Sequence, residues 1–65
     1  MNKAKKAVYK YDCLFKSIKD PNEMIYVHFE DLDGGYIHYE HSNDCTRQVY
    51  TMTKTQLLNN YERLH

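Results

Sequence analysis

The eighteen residues Met24–His41, MIYVHFEDLDGGYIHYEH, alternate apolar and polar side chains on both sides of a Gly-Gly pair. In Met24–Leu32 the residues Ile25, Val27 and Phe29 stand against Tyr26, His28 and Glu30, and in Tyr36–His41 Ile37 and Tyr39 stand against His38 and Glu40. A period of two is the signature of a strand with one buried face, so the stretch reads as a β-hairpin. Its register follows from the same parity. A two-residue loop at Gly34-Gly35 sets Phe29 opposite Glu40 and spoils the apolar face. A three-residue loop, Asp33-Gly34-Gly35, sets Phe29 opposite Tyr39 and leaves Gly35 to take the left-handed conformation such a loop needs. The outer face then pairs Glu30 with His38 and His28 with Glu40.

The flanking segments extend the sheet. Val8–Ile18 carries Tyr9, Tyr11, Cys13 and Phe15 on one parity and Lys10, Asp12 and Lys16 on the other, and Asp20-Pro21-Asn22-Glu23 breaks the chain before the hairpin. Ser42-Asn43-Asp44 marks the next turn, and a fourth strand is expected from about Thr46 to Met52. Thr53-Lys54-Thr55-Gln56 fits a capping box, with Met52 and Leu57 placed as a hydrophobic staple. The helix it starts is expected to last one to two turns, because Asn59-Asn60 is a good stop. Tyr61–His65 reads as a short closing strand, with Tyr61 and Leu64 inward, or as a last piece of helix.

Strand, hairpin, strand, helical turn, strand describes a mainly β protein: a small SH3-like barrel, or a strongly bent antiparallel sheet of four to five strands, with one short C-terminal helix. At this length residues 1–65 form one domain, with residues 1–6 expected as a flexible basic tail. The C-terminal half, YIHYEHSNDCTRQVYTMTKTQLLNNYERL, resembles a group of short uncharacterised phage and prophage proteins whose ends run strand, turn, Met-containing strand, Thr- or Ser-led helix and aromatic final strand. The resemblance implies a bacterial or phage cytoplasmic setting and an accessory role.

Chemistry is sparse. A metal site would have to draw on His38, His41 and Cys45 with Cys13, yet alternation sends His38 and His41 to opposite faces and no paired spacing pre-organises a tetrahedron, so neither metal nor cofactor is expected. Cys13 shares the parity of the core aromatics, where free cysteine usually resides. No nucleophile or acid/base pair stands out, and the protein is read as not an enzyme. Two cysteines and the absence of an apolar run behind the first lysines favour a reducing cytoplasm, and no stretch of about 18 apolar residues offers a membrane span.

Charge is segregated. Met1–Lys19 holds six lysines against Asp12, Asp20–Cys45 holds seven carboxylates and no Lys or Arg, and Thr46–His65 holds three basic residues against Glu62. The acidic hairpin, with Tyr26, His28, Glu30, Asp31, Asp33, Tyr36, His38 and Glu40 as candidate partner-binding residues, offers aromatic anchors ringed by charge. The expected function is therefore a non-enzymatic protein-interaction module, in the phage-like setting an inhibitor or regulator of a host protein with a basic surface, acting as a monomer or homodimer. The alternative is nucleic-acid binding through Lys3, Lys5, Lys6, Lys10, Lys16 and Lys19 with tyrosines as stacking platforms. A net charge of zero and only two arginines weigh against it.

Overall fold

A computed structural model describes residues 7–64; the tail expected at residues 1–6 lies outside the described residues. The chain runs β1 (Val8–Ser17), β2 (Met24–Asp31), β3 (Tyr36–His41), β4 (Tyr50–Thr53), α1 (Lys54–Asn60) and β5 (Tyr61–Arg63). All pairings are antiparallel, in the spatial order β4-β3-β2-β1-β5. Of the two architectures expected, the bent open sheet is the one formed: β4 and β5 are its edges and do not pair, so no barrel closes.

Alternation places Phe15, Ile25, Val27 and Ile37 in the core correctly, but not Phe29. Phe15, Ile25, Val27, Ile37, Met52 and Leu57 are buried together, with Tyr11, Cys13, Tyr39 and Tyr61 packed against them. Each fully buried aliphatic side chain contributes about 1.5–3 kcal/mol, so four such residues, Ile25, Val27, Ile37 and Leu57, are a large share of what holds a chain this short. Leu57 is the helix's only buried residue. The helix is anchored by the capping box: the Gln56 amide donates to Thr53 Oγ1 at 3.1 Å and the Thr53 amide donates to Gln56 Oε1 at 2.9 Å. It ends at Asn60, Tyr61 resumes an extended backbone, and β5 forms beside the end of β1, with the Leu64 amide donating to the Leu14 carbonyl at 3.0 Å.

The hairpin register is different from the one alternation implies. Asp31 pairs with Tyr36 across a four-residue loop, Leu32-Asp33-Gly34-Gly35, in which Gly35 does adopt φ 76°. Phe29 therefore faces His38, and Glu30 faces Ile37. Between Val27 and Phe29 the register shifts by one, leaving His28 as an extra residue relative to β3. Across the same point β1 also shifts, between Lys10 and Cys13, with Asp12 at φ 47°. The two irregularities share one line across the sheet, where bulges increase bend and twist.

That extra residue swaps faces. Beyond His28 the parity of β2 inverts, so Phe29 turns outward and Glu30 turns into the core side, where it is 8% exposed. The expected pair Glu30–His38 is consequently absent.

β4 also starts later than expected. The Thr46 amide and hydroxyl donate to Asp44 Oδ1 at 2.9 and 2.8 Å, and Arg47 follows at φ 64°. An Asx turn and a left-handed residue cannot lie in a regular strand, which is why pairing begins only at Tyr50.

Candidate functional site: the outer face of the sheet

With α1 and the core on one side, the other side of the sheet carries no covering element among the described residues. Register assigns this outer face Lys10 and Leu14 from β1, Tyr26, His28 and Phe29 from β2, Tyr36, His38 and Glu40 from β3, and Thr51 from β4. Two aromatic contacts run across it. Phe29 and His38 stack with centroids 4.4 Å apart, and the Tyr26 ring meets the His28 ring edge-on at 4.9 Å.

One carboxylate, Glu40, organises the polar part. His28 Nε2 lies 2.8 Å from Glu40 Oε2, and the other carboxylate oxygen of Glu40 lies 3.7 Å from Arg47 Nε. The contact expected between His28 and Glu40 is thus present, although Glu40 pairs directly with Tyr26 and His28 reaches it diagonally from the bulge. Partial burial, with the Asp12 carboxylate beside it, raises the Tyr26 hydroxyl above its ordinary value. His38 Nε2 is buried and meets no hydrogen-bond partner among the described residues.

Of the eight residues assigned from sequence to partner binding, Tyr26, His28, His38 and Glu40 come together on this face. Tyr36 continues it toward the hairpin tip and is 49% exposed. Asp31 and Asp33 lie at the tip itself, where Asp31 Oδ1 accepts the Asp33 and Gly34 amides at 3.0 and 3.4 Å. Asp31 thus spends one oxygen on the turn. Glu30 does not belong to the face: its carboxylate accepts from the Tyr11 hydroxyl at 3.5 Å and lies 3.7 Å from Lys54 Nζ on the core side.

Phe29 and Arg47 are the members that alternation misses. Phe29 is displaced outward by a single extra residue, and Arg47 belongs to a turn read as strand. A signal for the first existed in β1: Tyr9 and Tyr11, rather than Phe, occupy the inward positions near Glu30, and their hydroxyls suit a buried carboxylate.

Among the described residues, grooves of about 390 Å³ each lie at two places on the core side. The first lies between the β1–β2 turn, β3, β4 and α1 and includes Glu23, Tyr39 and Tyr61; the second, near the hairpin tip, includes Tyr9, Tyr11, Glu30 and Lys54. No helix among the described residues is long and apolar enough to cross a membrane. Comparison with protein-family models, with curated proteins and with solved structures returns no match.

Proposed function

We propose that this protein is a non-enzymatic protein-interaction module that binds its partner through the outer face of the sheet. The observation that carries this reading is the uncovered aromatic and histidine row Tyr26, His28, Phe29 and His38, bordered by Glu40 and by the acidic tip. Aromatic side chains lose little entropy on docking and are enriched where interfaces concentrate their binding energy. Asp31, Asp33 and Glu40 around the row favour a partner whose facing surface is basic. A role as inhibitor or regulator of a host protein in a phage-like, cytoplasmic setting is the form of this function that the resemblance of the C-terminal half supports.

Nucleic-acid binding ranks second. Lys10 pairs with Phe29 within the β1–β2 ladder and Lys16 with Met24 at its end, while Lys54 and Arg47 are engaged with Glu30 and Glu40. These four cations do not form one stripe.

The test is quantitative affinity capture from bacterial lysate with wild type and with two variants whose circular dichroism matches it. Partners of the outer face are lost with Phe29→Ser and weakened by Asp31→Lys with Asp33→Lys. Retention of every partner by both variants, together with loss when Lys3, Lys5, Lys6 and Lys10 become Gln, transfers the function to nucleic-acid binding, whose affinity falls steeply with salt.

A further inference from the structure

On the opposite side of the molecule from the aromatic row, Glu23 lines the groove between the β1–β2 turn and α1. Its Oε2 accepts the Tyr61 hydroxyl at 2.8 Å and lies 3.6 Å from His41 Nδ1. Its Oε1 meets no donor among the described residues. Tyr39 and Tyr61 provide aromatic wall and the buried Met52 provides apolar lining, so a carboxylate oxygen with spare acceptor capacity stands beside a surface suited to a hydrocarbon stem. The volume of about 390 Å³ falls within the range of small-ligand sites.

Charge selects the ligand's sign. Glu23 and Asp20 outnumber Lys19 among the groove's ionisable side chains with a formal charge, and Asn60 adds an oxygen acceptor. Tyr61 and Tyr39 supply no further negative charge at neutral pH, which lies below the ordinary tyrosine value of 10.0, and burial with Glu23 close by raises both hydroxyls further. An anion would meet Glu23 directly.

We infer that this groove is a binding site for an alkylammonium group, with the ammonium on Glu23 Oε1 and the stem against Tyr39, Tyr61 and Met52. A charged donor on a carboxylate forms a strong hydrogen bond, and tyrosine rings add attraction for a cation held near them. The same chemistry is offered by a free primary amine and by a lysine side chain of another protein. The site is separate from the outer face and does not depend on the function proposed for that face.

The test is an amide chemical-shift titration of the full chain at neutral pH. The probes are n-butylammonium, the peptide acetyl-Gly-Lys-Gly-amide, and as neutral counterparts n-butanol and acetyl-Gly-norleucine-Gly-amide. Saturable shifts at Thr51, Asn60 and Tyr61 are expected with the cationic probes at about millimolar concentration. They are expected to weaken about tenfold in Glu23→Gln, which keeps an acceptor for the Tyr61 hydroxyl, and to strengthen in Lys19→Gln, which removes the opposing cation. Saturation by both cationic probes assigns the shared chemistry; saturation by the peptide alone assigns a lysine of a partner, and by butylammonium alone a free amine. Equal shifts from the neutral probes, no saturation by either cation, or unchanged affinity in Glu23→Gln overturns the site.

Discussion

Phe29 lies nearly parallel to His38, ring planes 17° apart and centroids 4.4 Å apart, on the face of the sheet that no other element covers among the described residues. Beside this stack, His38 Nε2 is buried and meets no hydrogen-bond partner among the described residues. A buried polar atom left unsatisfied costs about 1–3 kcal/mol. His38→Phe keeps the stack and removes the polar atom, so it should raise stability by about 1 kcal/mol in a urea melt. Loss of stability in that variant would mean that the ring nitrogen is satisfied after all.

Glu30 provides a direct check of the bulge. With the carboxylate on the core side beside Tyr11 and the half-exposed Lys54, Glu30→Lys puts an unpaired ammonium at a buried position and a second cation near Lys54. The expected loss is about 3–5 kcal/mol, the scale of an unpaired buried charge. Asp33→Lys, at the exposed tip, should stay within about 0.5 kcal/mol. Equal, small effects of the two reversals would return Glu30 to the outer face.

The helix offers two graded tests. Thr53→Ala removes the hydroxyl that accepts the Gln56 amide and should cost about 1 kcal/mol, whereas Thr53→Asn should restore most of it. Leu57→Ala empties the helix's only fully buried position and should cost about 2–5 kcal/mol. Denaturant midpoints at unchanged m-value rank the three variants.

Alkaline pH probes the Tyr61 hydroxyl. Burial first, then the hydrogen bond to Glu23 and its charge, hold this group well above its ordinary value of 10.0. A value raised by folding means a stability contribution that is complete below the unfolded value and is lost as pH rises toward the folded one. Melting temperatures of the wild type should therefore fall between about pH 9 and pH 11, and less steeply for Tyr61→Phe. Tyr11, Tyr26 and Tyr39 are raised in the same direction, so some slope remains. Identical slopes for the two proteins would show that Tyr61 has no part in the alkaline loss.

Much of this architecture is legible from local rules. Alternation identifies Ile25, Val27 and Ile37 as core, the Thr53–Gln56 spacing marks the helix start, and the glycine pair marks the loop in which Gly35 takes positive φ. The bulge at His28 escapes because an extra residue leaves the composition of a strand untouched and only inverts the facing of the residues after it. Phe29 and Glu30 each look correct on the face they do not occupy. The groove around Glu23 escapes for a different reason: Tyr61 reaches Glu23 from a position 38 residues away, and no spacing rule couples them.

The pairing of Phe15 with Arg63 has a kinetic consequence. The β2–β3 hairpin closes over four residues, but β5 finds β1 only after the intervening strands and helix have brought distant parts of the chain together, and the entropy of closing that long loop comes before any reward. Docking of this three-residue strand is thus placed late on the folding route and early on the unfolding route. Amide exchange should be fastest, within the sheet, at the Leu64–Leu14 bond and neighbouring β5 contacts. Covalently linking β5 to β1 would speed the last step without altering the hairpin that begins the process.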